Sequence, residues 1–320
     1  MRILSGIQPS GRLHIGNYFG MMKQAVELQK QGETFLFIAD YHSLTTLPKP
    51  EQLRERVTEV AIDFLACGLD VEKTCFFRQS EVPQVCELTW LLNAVCPLGL
   101  LQRAHSYKDK IAKGFDASNG LFSYPVLMAA DILIYQSNLV PVGKDQKQHL
   151  EITRDLAIKF NDRFGEIFTI PDGYIPESVA VIPGIDGQKM SKSYDNTIPI
   201  FGTEKEIRKV VMSIVTDSKG LNDSKDPDKC SIVGLYKLFA NPEQVEEMND
   251  KYRTGGYGYG HAKQALFESM WNYFEPMRKR RNELIANPDT VREILQKGAK
   301  KASAEAEKTM SKARQAVGLR

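Results

Sequence analysis

The 320-residue chain is short of cysteine and histidine and has no long apolar run, and each shortage removes a class of function. Its five cysteines, at positions 67, 75, 86, 96 and 230, form no CxxC pair and no cluster with histidine. That odd count and scatter argue against a disulfide framework, a zinc site or an iron–sulfur site. The expectation is reduced thiols, no structural metal and a cytoplasmic location. No window approaches the apolar length that a bilayer-spanning helix requires, so no membrane partner is expected. Met1-Arg2-Ile3-Leu4 enters a strand-like segment directly, without the charged-then-apolar order of a secretory signal. Neither the GxGxxG spacing of dinucleotide folds nor a GxxxxGK[ST] loop is present, which sets aside NAD and P-loop chemistry.

What is there is an ordinary globular composition, 42% hydrophobic and 26% charged, over a length that suits two domains. Net charge is +2, but residues 271–320 carry twelve Lys/Arg against six Asp/Glu. A basic C-terminal part on a near-neutral chain permits a nucleic-acid partner and equally suits a solvated helical surface. Through the first two-thirds, short β-rich runs at 2–7, 34–40, 74–79, 139–143 and 179–182 alternate with helical patterns at 16–31, 50–67, 82–95 and 125–136. The strands lack polar alternation, as buried parallel strands do. The alternation predicts an α/β fold with a Rossmann-like, doubly wound parallel sheet, whose ligands bind beyond the carboxyl ends of the strands. After residue 194 the strand signals stop. Helical patterns at 204–216, 232–239, 242–252, 261–287 and 288–317 predict an all-α region. The expected domains are therefore 1–193 and 194–320.

Two short stretches carry the chemistry. Pro9-Ser10-Gly11-Arg12-Leu13-His14-Ile15-Gly16-Asn17 follows a strand and opens a helix, where backbone N–H groups seat phosphate and glycines at 11 and 16 permit close approach. Lys189-Met190-Ser191-Lys192-Ser193 follows a glycine-bearing segment able to flex. Together they read as an ATP site that adenylates a carboxylate, with two lysines following the departing pyrophosphate. Between them, Tyr124, Met128 and Asp131 fall on one helical face, with Ser123 as the expected N-cap and Pro125 as an early helical position. Asp131, flanked by alanine, isoleucine and leucine, is costly to bury without a partner, and a ligand N–H or O–H can supply one. Val140-Pro141-Val142-Gly143-Lys144-Asp145-Gln146 ends a strand in a glycine turn that begins a helix. Asp145 there can accept from ribose hydroxyls or serve as a helix cap.

These blocks, with the C-terminal pattern Gly298, Ala302, Thr309 and Gly318-Leu319, resemble the class I aminoacyl-tRNA synthetases, most closely the bacterial tryptophanyl-tRNA synthetase family. The resemblance extends over nearly the whole chain. It implies contacts to ATP, with its Mg²⁺, from Gln8, Pro9, Ser10, Gly16 and Asn17, and from Gly143, Lys144 and Asp145 on the ribose side. It also implies adenine against Ile182, and Lys189, Met190, Ser191, Lys192 and Ser193 closing on the phosphates. Catalytic roles fall on His14, Asn17, Lys189, Lys192 and Lys110, the last with Lys108 in a pyrophosphate-contacting loop. Tyr124 and Gln146 would hold the ammonium group of L-tryptophan and Asp131 its indole N–H, while Leu4, His42, Met128, Val140 and Val142 enclose the ring. Leu4 departs from the phenylalanine common in relatives, and Lys144 from an acidic residue. The family further implies tRNA(Trp) as partner, a homodimer, and anticodon recognition by the helical region. Because an aspartate accepts equally from a tyrosine hydroxyl, tyrosine stays open as the alternative substrate. A tRNA-binding paralogue without ligase activity is the alternative of another class.

Overall fold

The computed structural model describes residues 1–112, 114, 118–143, 146–174 and 182–319; the side chains at 105, 106, 109 and 110 are likewise outside the described set. Its five strands, β1 (Arg2–Ile7), β2 (Glu33–Ile38), β3 (Thr74–Arg78), β4 (Leu139–Pro141) and β5 (Asp172–Tyr174), form one sheet in the order β3-β2-β1-β4-β5. Every pairing is parallel. Alternate strand residues point to opposite faces, and both faces are covered. Leu4, Phe35, Phe37, Cys75 and Phe77 enter one apolar core, while Ile7, Leu36, Ile38 and Phe76 enter the other.

Register decides where the site lies. Ile7 pairs with Ile38 and Ile38 with Arg78, so Gln8, Ala39 and Gln79 leave the sheet at one level. The strand order reverses between β1 and β4, which opens a crevice at their carboxyl ends. Around the sheet stand α1 (Ile15–Asn17), α2 (Pro50–Ala66), α3 (Gln84–Val95), α4 (Asn119–Ile134) and α5 (Lys147–Phe164). A helical region follows, including α6 (Glu204–Met212), α7 (Tyr259–Tyr273), α8 (Glu275–Ala286) and α9 (Pro288–Ala316).

α9 returns from that region to cover β3, the edge strand. Contact there depends on Gly298, where a Cβ would lie 1.8 Å from the Phe76 carbonyl oxygen. Arg314 of α9 is held by both Glu87 oxygens at 2.7 Å.

Several expected boundaries move. α4 begins at Asn119 with Ser118 as its cap, so Ser123 is interior and Pro125 sits inside the helix. The hydroxyl of Ser118 caps through the Leu121 N–H at 3.1 Å, whereas Ser123 donates back to Asn119 O at 2.8 Å. The single helix expected at 261–287 is two, because Pro276 lacks an N–H to continue the ladder and instead starts α8. Of the strand expected at 179–182, residues 179–181 lie outside the described residues, and β5 lies earlier, paired to β4 from Leu139↔Asp172.

Candidate functional site

The turn after β1 ends at His14, which caps α1 reciprocally. His14 Nδ1 accepts from the Asn17 N–H at 3.3 Å, and Asn17 Oδ1 accepts from the His14 N–H at 3.1 Å. Burial, aided by the charge of Lys192, lowers the His14 pKa to about 4. The imidazole is therefore neutral at pH 7, and with Nδ1 accepting, its proton resides on Nε2. A donor aimed out of the turn is what a phosphate or ribose oxygen requires.

Gly16 lets the second signature approach. A Cβ there would stand 2.9 Å from His14 Nδ1 and 3.4 Å from Met190 Cβ. Lys192 completes the junction: its Nζ donates to Gly11 O at 2.8 Å and to Ser10 Oγ at 3.2 Å, across 181 positions of sequence. Burial, and then the positive charge of Arg56, lower its pKa to about 8. Within the loop 189–193, Met190 N–H donates to Ile182 O at 2.9 Å, while Lys189 and Ser193 are exposed. The buried Asn196 holds the loop's shape. Its Oδ1 accepts from Ser191 N–H at 2.7 Å, and its Nδ2 donates to Asp186 Oδ1 at 2.8 Å and Lys189 O at 3.1 Å.

Beside this turn, at the crevice between β1 and β4, lies a cavity of about 490 Å³. Leu4, His42, Tyr124, Met128, Asp131, Val140, Val142 and Gln146 all line it, with Gln8 and Gly143. Phe37 lines it too, its ring lying over Gly6, where a Cβ would be 2.6 Å from Phe37 Cζ. An aromatic wall thus comes from β2, where Leu4 supplies none.

Asp131 is 2% exposed at this cavity. Gln79 Nε2 donates to both carboxylate oxygens, at 2.8 and 2.9 Å, and His42 Nε2 lies 2.8 Å from Oδ2. Gln79 cannot turn away, because its Oε1 accepts from the Tyr41 N–H at 3.1 Å. Burial raises the Asp131 pKa, and His42 and Gln79 oppose it. At the other end of the cavity, His149 is 2% exposed and joins two expected residues. Its Nε2 lies 2.8 Å from Tyr124 Oη and its Nδ1 lies 2.9 Å from Gln146 Oε1. An amide oxygen only accepts, so Nδ1 carries the proton and Nε2 accepts from the tyrosine hydroxyl.

The structure brings both signatures and the whole expected ring-binding set to one end of the sheet. Lys144, Asp145 and the side chain of Lys110 lie outside the described residues. Gln79, His149, Phe37 and Asn196 escaped sequence reasoning. Gln79 was within reach, since it is the carboxyl-terminal residue of the strand expected at 74–79, in a sheet that binds at its carboxyl ends. Among the described residues no three His, Cys, Asp or Glu side chains converge as metal ligands.

A neutral imidazole donor and a partly desolvated lysine shared between two turns thus stand beside a half-open, mainly apolar cavity with a buried carboxylate in its wall. The family model for tRNA synthetases class I (W and Y) matches residues 1–275. The chain belongs to that family. It is 56% identical to the tryptophan–tRNA ligase of Fusobacterium nucleatum subsp. nucleatum, over 99% of this chain and 98% of the relative. It is 54% identical to the tryptophan–tRNA ligase of Rhodopirellula baltica over the full length of both. Among solved structures, tryptophanyl-tRNA synthetase from Campylobacter jejuni complexed with ADP and tryptophan superposes with a TM-score of 0.96, at 51% identity and full coverage of both chains.

Proposed function

We propose that the chain is a tryptophan–tRNA ligase, which activates L-tryptophan with ATP and transfers it to tRNA(Trp). The observation that carries this reading is Asp131, a buried carboxylate whose neighbours keep it an acceptor at the cavity. An indole N–H meets that requirement, whereas phenylalanine brings no donor and desolvates the carboxylate without a hydrogen bond in return, so it is disfavoured. Tyr124, whose own proton goes to His149, presents an acceptor to the amino acid ammonium group. Gln146 is held beside it by His149. Leu4, Met128, Val140 and Val142 enclose the ring with Phe37.

The tryptophan carboxylate attacks the α-phosphorus of MgATP in line. The bond to the β-phosphate oxygen breaks, and pyrophosphate leaves with its electron pair. Mg²⁺ arrives on the phosphates as part of that substrate. The turn 8–17 receives the nucleotide, with His14 Nε2–H and Asn17 as neutral donors. Lys192 leaves Gly11 and Ser10 for the departing pyrophosphate, with Lys189 and Lys110 assisting. Ile182 meets adenine, and Gly143, Lys144 and Asp145 the ribose side. No protein nucleophile is needed; positioning and charge stabilisation supply the rate. The 2′-hydroxyl of the terminal adenosine then attacks the adenylate carbonyl, and AMP departs.

The family resemblance supports a catalytic domain over 1–193 and an anticodon-binding helical domain over 194–320, acting as a cytoplasmic homodimer. Charging of tRNA(Trp) with tryptophan and with tyrosine, read on acid gels, tests the reading. Charging with tryptophan alone supports it. Charging with tyrosine overturns the substrate, and charging with neither overturns the function.

A further inference from the structure

Arg12, from the turn that seats the nucleotide, also lines a second cavity of about 580 Å³. Its other walls come from residues 201–206, α7 and α8, and they add Arg278, Arg281 and Trp271. The three arginines are not equivalent. Arg281 Nε is committed to Asp63 Oδ1 at 2.7 Å, a pair that ties α8 to α2. Among the described residues, Arg12 and Arg278 form no ion pair. The Arg278 guanidinium lies 3.5 Å over the Trp271 ring and is half-buried.

The acids nearby already have partners, Glu206 standing in the cavity wall with the Arg12 charge acting on it. Glu206 accepts from the Thr203 N–H at 2.9 Å, and Glu204 is bound by Arg208 at 3.2 Å. Burial lowers the Arg278 pKa against the opposing pull of Glu275 and Glu204. A partly desolvated guanidinium without a counterion is a cost that an incoming anion removes. Its planar fork, already oriented by stacking, matches two oxygens of a phosphate. The cavity is much larger than one phosphate, and Thr203 and Asn282 stand in its wall as neutral hydrogen-bonding groups. Arg278 and Arg281 also belong to the basic stretch 271–320, with its twelve Lys/Arg against six Asp/Glu. That excess favours a polyanion over a free phosphate.

We infer that this cavity seats a backbone phosphate of RNA on Arg12 and Arg278. The inference rests on the ligase reading for the identity of the RNA, the tRNA substrate. Arg12 directly follows Gly11, whose carbonyl receives Lys192, so the RNA contact sits one residue from the resting place of the signature lysine.

The test compares the full chain with Arg278→Gln and Arg278→Lys. Filter binding of a tRNA(Trp) transcript is measured across a KCl series, with ATP–pyrophosphate exchange run on the same preparations. Arg278→Gln should weaken tRNA binding about tenfold and make the slope of log affinity on log salt shallower by about 0.7–0.9, one phosphate contact. Exchange stays unchanged, and Arg278→Lys recovers the slope. Unaltered affinity and slope overturn the inference. So does a raised KM for ATP with tRNA binding intact, which assigns the cavity to a free nucleotide. The slope is read without catalysis, so a failed ligase reading shows itself separately, as absent exchange in the unaltered protein.

Discussion

Replacing Gln79 by leucine removes the amide that spans both oxygens of Asp131 while keeping a side chain of similar bulk. The Tyr41 N–H that held Gln79 keeps its other acceptor, Asp40 Oδ1, at 3.1 Å, so the substitution creates no orphan there. A hydrogen bond to a charged group contributes about 1.5–3 kcal/mol. That bond exists with and without tryptophan, so its energy is an upper bound on the binding loss, and at 1.4 kcal/mol per decade the KM for tryptophan rises by up to roughly 150-fold. The effect must also depend on pH. Burial raises the Asp131 pKa and Gln79 opposes it, so losing Gln79 pushes the pKa further up and protonates the acceptor over a wider range. The KM defect should therefore be largest at acid pH and shrink as pH rises. Exchange kinetics at saturating ATP across the acid-to-neutral range read both numbers. An unchanged KM, or a defect of equal size at every pH, refutes the role of Gln79 in keeping Asp131 an ionised acceptor.

The Lys192 ammonium, its pKa lowered to about 8, is charged at neutral pH. Hence kcat/KM for ATP, which reports free-enzyme groups, should fall as pH climbs through about 8, and Lys192→Arg should move that fall upward. Lys192→Ala should slow adenylate formation by about 10²- to 10³-fold and leave tryptophan binding intact; equal losses in both contradict its role. Asp63 is raised to about 6 because burial outweighs Arg281. Arg281→Met leaves that carboxylate buried and unpaired, a cost of about 3–5 kcal/mol in urea unfolding at neutral pH. Stability tied to a raised carboxylate pKa is present at low pH and lost as pH rises through the folded value, so this deficit should grow as pH passes about 6. Gly298→Ala forces a Cβ to 1.8 Å from the Phe76 carbonyl oxygen, and thermal unfolding should show a loss of about 1–3 kcal/mol or more.

The parallel sheet was legible because buried strands are continuous apolar runs. β1 has the expected bounds at both ends, and β2 and β3 differ from expectation by one or two residues. The pocket was legible through a family resemblance joined to helical spacing, which placed Tyr124, Met128 and Asp131 on one face of α4. Its second layer was not. Gln79 and His149 touch their partners across 52 and 25 residues of sequence, and no local pattern encodes such a meeting. Helix ends failed where two signals competed. Ser123 ahead of Pro125 invited a start there, yet Ser118 is the cap, and a mid-helix proline is tolerated inside a helix whose Leu121, Pro125, Val126 and residues 129–134 are buried. The reverse error joined α7 to α8, where Pro276 ended the ladder that the apolar periodicity carried through.

ATP–pyrophosphate exchange with each of the proteinogenic amino acids, on the unaltered chain and on Asp131→Asn, tests the central claim most directly. Exchange should be driven by tryptophan alone and lost with the carboxylate, because the amide cannot accept from Gln79, His42 and indole together. Exchange driven by tyrosine, or tryptophan exchange that survives the substitution, contradicts it.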